Sequence, residues 1–94
     1  MYEIRLTKSF RKSFKRIVNS GQERGIKEEM TIILGIIAKK QNLPKKYKDH
    51  ALTGEYKTYR ECHFRPDLLF IYKINKEERV VYALNVGSHS DLFS

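Results

Sequence analysis

The segment YRECHFRPDLLFIYKINKEERVVYALNV, residues 59–86, decides the fold. Three runs in it, Tyr59 to Phe64, Leu68 to Ile74 and Val80 to Val86, are rich in aromatic and β-branched side chains, which suit a pleated, half-buried surface. The breaks between them, Arg65-Pro66 and Asn75-Lys76-Glu77-Glu78, are short enough to join neighbouring antiparallel strands. The stretch therefore predicts an antiparallel meander.

On its N-terminal side, YKDHALTGEYK from Tyr47 to Lys57 has no sustained period and reads as an ordered loop carrying His50 and the turn residue Gly54. Before it, Ile26, Met30, Ile33 and Ile37 recur at helical spacing around an internal Gly35, and Asn42 and Pro44 end that helix. An earlier helix is marked by Phe10, Phe14, Ile17 and Val18 on one face, with Lys8, Arg11, Lys12 and Lys15 as a cationic stripe opposite. Thr7 suits its N-cap and Asn19-Ser20-Gly21 its stop. Tyr2, Ile4 and Leu6 alternate with Glu3 and Arg5, the period of a strand. At the other end Leu92 and Phe93 predict that the tail from Gly87 to Ser94 folds back onto the body. The expected fold is α+β, an N-terminal strand and two helices packed on a β-meander of about four strands. Its length fits one domain, residues 1–94.

Charge is distributed unevenly. Of a net +8, residues 1–47 hold 12 Lys and Arg against 4 Asp and Glu, whereas residues 48–94 hold 7 against 7 and are neutral. Such a cationic half suits a polyanion, although surplus lysine also serves solubility. Every histidine lies in the neutral half. The most apolar stretch, Met30 to Ala38, is too short to span a membrane, and Met1-Tyr2-Glu3-Ile4 lacks a signal-peptide pattern, so a cytoplasmic protein without a membrane partner is expected. The single Cys62 excludes an intrachain disulfide and a cysteine-based zinc site.

His50, His63 and His89 are the candidates for chemistry, each at the end of an element or in a loop, where rigid structure can present side chains to one cleft. If Phe64-Arg65-Pro66 is the hairpin loop, His63 faces Asp67 across the strands, and a neighbouring carboxylate favours the imidazolium and orients the ring. A two-residue turn would instead pair Asp67 with Phe64. Three imidazoles and a carboxylate also describe catalytic zinc, but no pair has a short helical ligand spacing and the cationic surroundings oppose a divalent ion. The alternative is metal-free RNA cleavage, in which a base takes the 2′-hydroxyl proton and an acid protonates the leaving 5′-oxygen. Arg60, Arg65 and Lys48 are candidates to hold the scissile phosphate, unless Arg60 pairs with Glu61 or Glu55. Phe93 and Tyr56 could stack on unpaired bases.

The strings YKDHALTGEYKTYRECHFRPDLLFIYK and GSHSDLF, between Leu43 and Phe93, resemble the YafQ branch of the RelE superfamily of toxins from bacterial toxin–antitoxin pairs. The resemblance implies an endoribonuclease that cuts mRNA in the decoding site of the 70S ribosome, without a cofactor or metal, and a DinJ- or RelB-like antitoxin as partner. Its functional positions fall on His50, His63, Asp67 and His89, with Phe93 in support. One departure is Leu68, where relatives often carry tryptophan. The alternatives are a non-catalytic ParE-like inhibitor, an RNA-binding module on the same scaffold, and a metal nuclease.

Overall fold

Thr7 joins the first strand to the first helix. In the computed structural model, which describes residues 1–21, 24–54 and 58–93, strand β1 spans Glu3–Leu6 and helix α1 spans Lys8–Ser20. The Thr7 hydroxyl accepts from the Phe10 N–H at 3.1 Å and donates to the Ala83 carbonyl at 2.8 Å, so one residue caps α1 and ties it to the sheet. Gly21, at φ 67°, ends the helix in a left-handed turn, its N–H reaching the Val18 carbonyl. Helix α2, Ile26–Ala38, buries Ile26, Met30, Ile33 and Ile37 as their spacing predicts.

The meander is present as β3 (Arg60–Arg65), β4 (Leu68–Asn75) and β5 (Val80–Gly87), all antiparallel. A short helix α3, His89–Phe93, follows. Three features depart from the sequence reading. The loop expected from Tyr47 to Lys57 instead begins as the end of a 3-10 turn, Lys45–Tyr47, and contains a two-residue strand β2, His50–Ala51, paired with β3. Among the described residues the sheet thus has five strands, in the order β1-β5-β4-β3-β2, with β1 parallel to β5. Glu55 and Tyr56 lie outside the described residues.

The third departure is the β3–β4 hairpin. Arg65 pairs with Leu68 around a two-residue turn, Pro66-Asp67, and His63 pairs with Leu69 across a bulge between His63 and Arg65. The physical reason is the proline, whose fixed φ presets the first central position of a tight turn. Asp67 therefore sits in the turn itself, and the expected His63–Asp67 pair does not form.

The core lies between the helices and one face of the sheet. Phe10 meets Phe70 edge-on, with centroids 5.6 Å apart, and Phe70 stacks on Tyr72 at 5.3 Å. Cys62, Val81, Ala83 and Val86 complete that face. Among the described residues, no helix is long and apolar enough to cross a membrane.

Candidate active site

Strand alternation sorts the β3 side chains. Cys62 and Phe64 enter the core, so Glu61 and His63 project from the opposite face, while past the bulge Arg65 pairs with the core-packed Leu68 and turns to helix α2. His50 pairs with Glu61 in β2 and shares that face. Glu61 is 8% exposed, the sole buried charged residue among those described, and a buried carboxylate needs partners. Its Oε1 lies 3.4 Å from His63 Nε2 and 4.0 Å from His50 Nε2, and the imidazole centroids are 6.4 Å apart. Two imidazoles thus share one carboxylate.

The His50 ring is oriented from behind. Its Nδ1 lies 2.8 Å from the Lys48 carbonyl, which only accepts, so Nδ1 carries the hydrogen and Nε2 is the nitrogen facing Glu61. Lys48 adopts φ 49°, the left-handed conformation that closes the 3-10 turn. The Lys48 side chain lines a cavity of about 360 Å³ with Lys46, His63, Arg65 and Pro66. Arg65 also braces the wall: its Nε donates to Glu29 at 2.6 Å and its Nη2 to the Arg24 carbonyl at 2.7 Å, while Glu29 accepts from the Tyr47 hydroxyl at 2.9 Å.

Asp67 and His89 form a second group. Asp67 is exposed and lines a depression of about 310 Å³ with Arg16, Ser20, Ser88 and Asp91. Ser88 and Asp91 cap α3 reciprocally, the Ser88 N–H donating to Asp91 Oδ2 and the Asp91 N–H to Ser88 Oγ, both at 3.1 Å. That cap sets the backbone at His89, whose ring lies 5.0 Å from that of Phe93, itself 41% exposed. His63, Leu69 and Gly87 form one row across β3, β4 and β5. Two strand spacings put the His63 and Gly87 backbones roughly 10 Å apart, with His89 two residues further on. The fold therefore gathers His50 and His63 directly and brings His89 and Asp67 to the same end of the sheet. Among the described residues, no hydrogen bond or ion pair joins His63 to Asp67.

Arg60 does not join the imidazoles. It pairs with Ala51, projects from the opposite face and binds Asp49, neither of the two glutamates weighed from the sequence. Strand period two is the reason, since residues 60 and 61 cannot share a face. Sequence reasoning also missed Glu61 as the carboxylate between the histidines. Its signal was Glu61-Cys62-His63, two polar residues flanking a core one at strand spacing. No group of three or more His, Cys, Asp or Glu among the described residues is arranged to hold a metal ion.

Fold and site together define a class: a small cationic α+β domain that presents imidazoles and carboxylates at one end of a five-stranded sheet. The sequence profile of the bacterial toxins of type II toxin–antitoxin systems, YafQ, matches residues 2–94, and the chain belongs to that family. A metal-bound toxin from Helicobacter pylori is 41% identical, with 99% of this chain and 100% of that chain covered and a TM-score of 0.89. The toxin in the Escherichia coli DinJ–YafQ complex is 26% identical, with both chains fully covered (100% each) and a TM-score of 0.82. The mRNA interferase toxin YafQ of Escherichia coli K12 is 41% identical over 51 residues, 54% of this chain and 53% of that protein. The aligned region thus spans about half the length of this curated relative.

Proposed function

We propose that this chain is an endoribonuclease that cleaves messenger RNA by acid–base catalysis, the toxin of a pair with an antitoxin. The observation that carries this reading is the buried Glu61 carboxylate between His50 and His63, beside a cavity rimmed by Lys46, Lys48 and Arg65. RNA contains its own nucleophile, so the protein needs only a base for the 2′-hydroxyl, an acid for the leaving 5′-oxygen and cations for the phosphorane. His50, with its hydrogen on Nδ1, offers Nε2 as that base, and Asp67 is the second candidate for the same role. His89 serves as the acid, its ring backed by Phe93. His63, held by Glu61, stands next to the phosphate with Lys46 and Lys48. Arg60, on the far face, is replaced in the charge-stabilising role by these cations.

The relatives support the same direction: one is an mRNA interferase, and another is crystallised with the protein DinJ. A DinJ- or RelB-like antitoxin is the proposed partner, and the 70S ribosome the platform that presents the message. Because a Helicobacter pylori relative is metal-bound, the test includes a chelator. Purified protein is incubated with messenger RNA, with and without ribosomes and EDTA, and the new ends are identified. Cyclic 2′,3′-phosphate ends that persist in EDTA are expected. Loss of cutting in EDTA, or RNA retention without breakage, would overturn the proposal.

A further inference from the structure

On the sheet face opposite the imidazoles lies a charged cluster that the reaction scheme does not use. Asp49 Oδ2 accepts from Arg60 Nη2 at 2.8 Å and from Nε at 3.3 Å, and Asp49 Oδ1 accepts from the Tyr72 hydroxyl. Tyr72 is 2% exposed and fixed in the core by its stack on Phe70, so Asp49 is anchored to β3 through Arg60 and to the centre of β4 through Tyr72. Burial first, and the bond to Asp49 second, push the Tyr72 hydroxyl far above the usual tyrosine range, which keeps it a donor.

Asp49 immediately precedes His50. Strand β2 is only two residues long, its pairing limited to His50 with Glu61 and Ala51 with Arg60, followed by a bond from the Leu52 N–H to the Tyr59 carbonyl at 2.9 Å. So short an edge strand has little cohesion of its own. A carboxylate tethered on one face of the sheet fixes the backbone from which His50 rises on the other. The Lys48 carbonyl, one residue before Asp49, then orients the His50 ring.

We infer that Asp49, gripped by Arg60 and Tyr72, is a positioning residue that sets where His50 Nε2 stands relative to Glu61 and His63. The inference rests on the reading of His50 as a reacting group. It also gives Arg60 a function consistent with the face it occupies. Misplacement of a reacting group by about 1 Å can cost on the order of 100-fold in rate, so loosening one anchor has a measurable effect.

The test uses Tyr72→Phe and Asp49→Asn, each in the parent chain and in a His50→Ala background, at a temperature where circular dichroism shows all proteins folded. For cleavage of messenger RNA, each variant should lower kcat by about 10-fold in the parent with KM nearly unchanged, and should add nothing in the His50→Ala background. An undiminished kcat, or the same drop with His50 absent, overturns the inference, the latter because the cluster would then only support the fold. The imidazole NMR resonances are read on the same proteins: those of His50 should move in both variants while those of His89 stay. If the parent does not cut RNA the functional reading falls, and the resonances still decide the positioning claim, which is lost if His50 does not respond.

Discussion

At the residue scale, Glu61 is where charge, burial and register meet. It is a carboxylate in a sheet, kept there by two imidazoles at 3.4 and 4.0 Å. Glu61→Gln preserves the shape but removes the charge that orients both rings, and should lower single-turnover RNA cleavage by about 10-fold or more while the fold remains. Cleavage at the parent rate would show that the rings need no such partner. Its neighbour Cys62 is wholly buried, and burial, followed by the field of Asp49 and Glu61, pushes its thiol up to about 12. The folded chain should therefore resist thiol reagents at pH 8, and labelling should track unfolding. Gly87 is a third residue with a sharp consequence. A Cβ there would stand 3.2 Å from Asp91 Cβ and 3.3 Å from its Oδ2, so Gly87→Ala should displace α3 and reduce cleavage more than it reduces the melting temperature.

At the element scale, helix α3 is five residues long and depends on its Ser88–Asp91 cap. Hydrogen bonds from the Ser88 N–H and then its hydroxyl hold the Asp91 carboxyl below its ordinary value of 3.8. A depressed folded value means that the cap's contribution is full above 3.8 and is lost as the pH falls through the lower folded value. Amide exchange in α3 should accordingly rise in acid before that of β4 and β5, and exchange that rises together in all three would contradict the cap's role. Both long helices and the three meander strands were legible because each repeats its pattern over two turns or several alternations, with Thr7 and Gly21 as punctuation. Strand β2 was not, since two residues carry no period and its place depends on tertiary tethers at Asp49. The hairpin register turned on one residue: the sequence offered Arg65-Pro66 or the three residues Phe64-Arg65-Pro66 as the turn, whereas Pro66-Asp67 forms it. Three of the four proposed catalytic positions are histidines, conspicuous by scarcity. Glu61 was obscured because a charged residue in a strand ordinarily reads as solvated.

At the scale of the whole molecule, attraction and chemistry are separated. The net +8 resides in residues 1–47, and the imidazoles occupy the neutral remainder. Helix α1 carries Lys8, Arg11, Lys12 and Lys15, cations that suit a polyanion. Reversing charge at Lys12 and Lys15 should weaken association with ribosomes and flatten its salt dependence, because fewer counterions are released on binding. Binding with unchanged strength and slope would place the footprint elsewhere. The same surface can satisfy only one polyanion at a time, so an acidic antitoxin segment on α1 should compete with RNA. The central claim is that the histidine end of the sheet performs the cleavage, and the most direct measurement compares single-turnover cutting of one transcript by the parent, His50→Ala, His63→Ala and His89→Ala. Each substitution should slow cutting by on the order of 100-fold or more with the fold intact, and His89→Ala cutting at the parent rate would contradict the account.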